Sequence, residues 1–186
     1  MFQKILGMLA ILCLTHPVKA EGHEASSNHF VIYADDAEED IRKFTENLER
    51  YHSALEFYTG RTLETPSPSN RITVYVVGSE NKVQSLAGKA GVAGFYIPRA
   101  SNSVAFVQTI RNKDGYPDVS TNVLLHEYAH HFLISSTRFS MPRWLSEGRA
   151  EFFASAQFEK DGTVSIGRPA IHRAGELSYS REVPVE

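Results

Sequence analysis

Val123-Leu124-Leu125-His126-Glu127-Tyr128-Ala129-His130-His131-Phe132-Leu133 is apolar along most of its length, yet it carries two histidines four residues apart and a glutamate beside the first. At 3.6 residues per turn, positions i and i+4 lie about 40° apart around a helix, so the imidazoles of His126 and His130 project from one face, one turn apart. They are close enough to share one tetrahedral metal ion. Glu127 is turned about 100° from His126 and reaches the side of such an ion, where a bound water sits, rather than the ion itself. The apolar remainder predicts a helix buried in the body of a domain. The alternative is an ordinary core helix with polar residues at its edge.

A site of this kind needs three protein ligands and an open fourth position. His131 lies about 140° from His126 around the helix and points away from the shared face. A third histidine six residues past His130 would complete a different arrangement, but that position is Ser136. Glu147 remains, in Pro142-Arg143-Trp144-Leu145-Ser146-Glu147-Gly148-Arg149-Ala150-Glu151. Glu147 and Glu151 are again four apart, so the first can ligate the ion while the second reaches the outer ring nitrogen of a ligating histidine, His126 in this reading. Against this stands a solvated helix face whose glutamates pair with Arg143 or Arg149. Gly148 inside so apolar a helix costs about 1 kcal/mol relative to Ala, and a close helix approach at the site would account for it.

Working back along the chain, Phe30-Val31-Ile32-Tyr33 reads as a strand feeding a helix capped by Asp35-Asp36 and running to about Gly60. Ile41, Phe44, Leu48, Tyr51, Leu55 and Tyr58 make its apolar face. Ile72 to Val77 is a buried central strand, Glu80 to Leu86 a short helix, and Ser103 to Gln108 a further strand. Gly88, Gly91 and Gly94 punctuate the loop before Phe95-Tyr96-Ile97, either as tight turns or as the lining of a ligand path. Asp118 or Ser120 caps the histidine helix, and Ser140 with Pro142 opens the last helix, which is read as far as Phe158. Strands early and helices late, without β-α-β alternation, predict an α+β domain: a small mixed β-sheet packed on the first helix and on the active-site helix, with the glutamate helix following.

Residues 1–20 have the parts of a cleavable secretory signal: Lys4, an apolar run from Ile5 to Leu14, and a cleavage point after Ala20. The apolar run is too short to favour a membrane span, and bulky Leu12 before Cys13 argues against a lipid anchor. The expectation is a secreted or periplasmic domain over 21–186, with no stable membrane insertion. Cys13 is the only cysteine, so the mature domain has no disulfide and depends on an ordinary core. Removing Lys4 and Lys19 takes the formal charge from −3 to −5, which argues against sequence-blind attraction to nucleic acid or anionic membrane.

His126 to His130 followed by Trp144-Leu145-Ser146-Glu147-Gly148 resembles the gluzincin zinc metallopeptidases, in which a tryptophan, two residues and Glu-Gly commonly surround the glutamate ligand. With Gly91 to Tyr96 added, it most resembles the secreted peptidase-MA-like group. The likeness is close over Leu124 to Phe153 and loose over the wider stretch from Phe30 to Phe158. It implies a zincin-like domain with one zinc ion held by His126, His130 and Glu147, and Glu127 as the base that activates water. A peptide or protein substrate follows. No Gly-Ala-Met-Glu-Asn segment precedes the zinc helix, which favours an endopeptidase over an aminopeptidase. The substrate is expected to lie extended along Ser103 to Gln108. His172, Arg173 and Tyr179 are candidates to stabilise the oxyanion. Gluzincins usually carry a helical lower subdomain, and the short tail after Phe158 leaves the expectation of a chain cut short or an unusually open cleft. The competing reading is a catalytically weak or inactive scaffold that binds a cell-envelope component, and a cell-wall peptide is a further substrate such a site could cleave.

Overall fold

Alternation along the strands decides which face of the sheet is dry. The computed structural model describes residues 22–111 and 116–169. In strand β2 (Phe30–Ala34) the residues Phe30, Ile32 and Ala34 are buried, and in β3 (Ile72–Val76) Ile72, Val74 and Val76 are. With β1 (His23–Ser26), β4 (Gly94–Ile97) and β5 (Val104–Val107) these strands form one sheet in the order β1-β2-β3-β5-β4. β2, β3 and β5 run parallel, while β1 and β4 are antiparallel to their neighbours. The opposite face carries a row of rings in register, Tyr33, Tyr75, Phe106 and Phe95, stacked across four strands with centroids 5.4, 5.3 and 4.7 Å apart.

Helix α1 (Glu38–Thr59) lies over β1 and β2, the short helix α2 (Glu80–Ala87) touches β4, and α3 (Val119–Ser135) lies over β4 and β5. Ile41, Leu48, Tyr51 and Leu55 of α1 meet Leu124, Leu125 and Phe132 of α3 in one core, each of them no more than 2 % exposed. Two hydrogen bonds cross this seam. Tyr51 Oη donates to the Leu125 carbonyl at 3.0 Å, and Tyr128 Oη lies 2.6 Å from His52 Nδ1. Helix α4 (Arg143–Ala154) packs on α3. This is an α+β fold with a small mixed sheet packed against helices.

Several expectations change. Asp35 and Asp36 do not cap α1: its N-cap is Ala37, without a side-chain bond, and Glu38, Glu39 and Asp40 instead meet the positive end of the helix dipole. Tyr58 falls beyond the core and is half exposed. Helix α4 stops at Ala154, because Gln157–Phe158 (β6) and Val164–Ser165 (β7) pair as a hairpin around Asp161-Gly162. Asp118 caps α3 through the Thr121 N–H, and Ser120 is already inside the helix. The strand expected to receive substrate, β5, is interior to the sheet, so its backbone groups are spent on β3 and β4. Among the described residues the edge on this side of the sheet belongs to β4. Residues 1–20, expected to be a leader, and His172, Arg173 and Tyr179 lie outside the described residues.

Glycine is required at Gly94, where an added Cβ would stand 3.1 Å from the Ser120 carbonyl oxygen and 3.2 Å from that of Phe106. That contact brings the edge strand down onto the N-terminal turn of α3. Gly148, by contrast, has nothing within 4 Å of where a Cβ would be, so no close helix approach explains it.

The seam behind α3 is sensitive to protons. Burial holds His52 below the usual histidine range, helped by the charge of His29 stacked 3.7 Å from it and opposed by Glu56 and Glu49. Burial also lowers His131. A histidine whose folded pKa is depressed binds fewer protons folded than unfolded, so stability falls as pH drops through about 6.5. Glu49, held down to about 2 against its own burial by hydrogen bonds from His29 and Ser27, matters only below the usual carboxylate pKa, outside this window. The metal-stripped protein is therefore expected to unfold at lower urea at pH 5.5 than at pH 7.5. An unchanged midpoint would rule out neutral histidines in the seam.

Candidate metal centre

Helices α3 and α4 together place three ligand atoms around one point. His126 Nε2 and His130 Nε2 are 3.1 Å apart, and Glu147 Oε2 lies 3.4 Å from each. Ligands bound about 2.0–2.1 Å from a small tetrahedral ion lie about 3.3–3.4 Å from one another, close to the spacing of these three atoms. Among the described residues this is the cluster of histidine and acidic side chains able to hold a metal ion. The two imidazoles are 17 % exposed and Glu147 is 50 % exposed, so the cluster lies near the surface.

The outer ring nitrogens decide which way the lone pairs point. His126 Nδ1 sits 3.3 Å from Glu151 Oε2, and His130 Nδ1 sits 3.1 Å from Ser146 Oγ. A proton on Nδ1 donated to these oxygens leaves Nε2 of each ring free to bind a cation. Sequence reading proposed Glu151 for His126 and missed Ser146. The signal was present, since Ser146 immediately precedes the glutamate ligand on the same helix. For Glu147, removal from water opposes ionisation, but the charges of His130 and His126 and their hydrogen bonds outweigh it and hold the carboxyl below its usual value. Its other oxygen is 3.9 Å from Arg143 Nε, so the solvated-face pairing exists as a loose surface contact beside the cluster. Arg149 turns instead to Met141 Sδ.

Glu127 lines two cavities that flank the cluster. One, of about 510 Å³, runs from Gly91–Gly94 to His126 and Glu151; the other, of about 420 Å³, is bounded by Tyr96, Pro98, His130, Ile134 and Glu147. Together they follow the edge of β4. Gly88 and Gly91 have positive φ and serve as turns, while Gly91 and Gly94 also border the first cavity, so both readings of these glycines hold in part. His131 is not one of the clustered ligands; it lines the second cavity beside His130 and lies 3.4 Å from Tyr96 Oη. Among the described residues no helix is long and apolar enough to cross a membrane.

Replacing Glu151 by Gln removes the charge that orients His126 while keeping side-chain length. Metal affinity is expected to fall by about 10–100-fold, measured by competition with a chromogenic chelator. An affinity equal to that of the native chain would mean that Glu151 does not support the ligand.

No protein-family model matches the chain, and no curated protein matches it.

Proposed function

We propose that the chain is an exported zinc peptidase of gluzincin type, acting as an endopeptidase. The single observation that carries this is the convergence of His126, His130 and Glu147 at tetrahedral spacing, with a carboxylate, Glu127, in the cleft alongside. Two histidine nitrogens and one carboxylate are the donor set of catalytic zinc sites that keep a place for water. A bound zinc ion supplies a Lewis acid for the scissile carbonyl and a water of lowered pKa.

The chain's own residues do the rest. Glu127 takes the proton of the attacking water, holds it, and passes it to the leaving nitrogen. Glu151 and Ser146 keep the two imidazoles turned inward. Among the described residues β4 is the outermost strand on this side of the sheet, and an extended peptide adds beside it as a further strand across both cavities. Export rests on the leader read in residues 1–20.

The test is to purify the mature protein, measure its zinc, and incubate it with a mixed peptide library. Stoichiometric zinc with no cleavage would sink the peptidase reading and favour a scaffold that binds an envelope component. Absence of zinc after zinc is supplied would sink the site itself.

A further inference from the structure

Amide hydrolysis puts negative charge on the carbonyl oxygen, and a preorganised donor at that point is commonly a large part of the rate. Tyr96 is a phenol within the described residues that borders the same cavity as Glu127, His130 and Glu147. We propose that Tyr96 is the catalytic hydrogen-bond donor to this oxyanion, an inference that rests on the peptidase reading.

Register aims the side chain correctly. Tyr96 pairs with Ala105 and stands in the row of Val74 and Ile32, on the helix side of the sheet, whereas its neighbour Phe95 joins the ring row on the other face. The edge strand that would hold the peptide backbone therefore also carries the donor. Strand position is fixed by the close approach of Gly94 to α3, two residues earlier on the same face. The phenol is half-buried, and its only hydrogen-bonding contact on α3 is the long one to His131 Nδ1 at 3.4 Å. A contact of that length holds the ring near the site yet loses little when the hydroxyl turns to a charged oxygen.

Burial, with the charge of Glu127, raises the phenol's pKa against a hydrogen bond involving Ser103, which keeps Tyr96 protonated and able to donate. In the reaction Tyr96 lends a hydrogen bond and gives up no proton. The C–O bond forms from water, the C–N bond breaks, and the water's proton travels through Glu127 to the nitrogen.

The experiment compares native protein, Tyr96→Phe and Tyr96→His, all zinc-loaded. Tyr96→Phe is expected to lose about 10²–10³ in kcat with KM nearly unchanged. Zinc content stays the same. Binding of a phosphinic peptide, whose charged tetrahedral oxygen mimics the oxyanion, weakens by a similar factor, while binding of a product peptide does not. Tyr96→His restores a donor and recovers part of the loss, which a packing role would not. An active native chain whose Tyr96→Phe keeps kcat, or loses only through KM, overturns the Tyr96 assignment and leaves the peptidase reading standing. A native chain that holds zinc but cleaves nothing overturns both.

Discussion

For the zinc peptidase proposed above, Glu127→Ala is expected to lower peptide hydrolysis by about 10²–10⁴-fold and to leave zinc binding in place. The expectation rests on separate positions on one helix. His126 and His130 share a face, and Glu127 stands off it, bordering both cavities without belonging to the cluster able to hold a metal ion. Its removal takes away the proton acceptor but not a ligand, and α3 stays anchored by Leu124, Leu125, Phe132 and the Tyr128–His52 bond on the other side. Glu127→Gln sharpens the test, since it keeps shape and hydrogen bonding and removes only basicity. The paired readout is metal content and kcat on the same preparation. Cleavage that survives in the Ala variant at more than a tenth of the native rate would show that Glu127 is not the base.

Much of this architecture could be read from the chain because it depends on local periodicity. The i, i+4 spacing of His126 and His130 and that of Glu147 and Glu151 are consequences of helix geometry, and both pairs converge as that geometry requires. The buried alternation of Ile72, Val74 and Val76 likewise fixes β3 as the centre of the sheet. Sheet order is another matter. Nothing local in Ser103 to Gln108 says that the preceding strand will fold back antiparallel on its outer side, so the strand expected to receive substrate lies inside the sheet and β4 lies outside it. Strand β1, His-Glu-Ala-Ser, has no apolar alternation because it is an exposed edge, and it escaped notice for that reason. The end of α4 was legible but overlooked: Asp161-Gly162 between Phe158 and Val164 is a hairpin signal, and Gly162 has the positive φ such a turn takes. Gly148 points the other way, since its open surroundings leave the glycine without a packing reason.

Zinc at a hundredfold excess over its dissociation constant should stabilise the native chain by about 2.7 kcal/mol, and Glu147→Ala should abolish most of that gain. For a domain of this size each kcal/mol moves the melting temperature by about 2–4 °C, so the native shift on adding zinc is about 5–11 °C. The two helices explain why Glu147 carries so much of it. His126 and His130 lie on α3, which is already fixed in the core, whereas Glu147 lies on α4 and is the group through which a bound ion would tie one helix to the other. Losing an outer partner such as Glu151 weakens a metal site by about 10–100-fold, and losing a ligand costs at least that much. At a hundredfold weaker affinity the same zinc concentration contributes only about 0.4 kcal/mol, a shift of about 1–2 °C. The metal-free melting temperatures of the two proteins should meanwhile agree closely, because Glu147 is half exposed and its ion pairs are loose. That agreement separates lost ligation from a damaged fold. A Glu147→Ala protein that gains as many degrees from zinc as the native one would mean that the ion, if bound, is held by other groups.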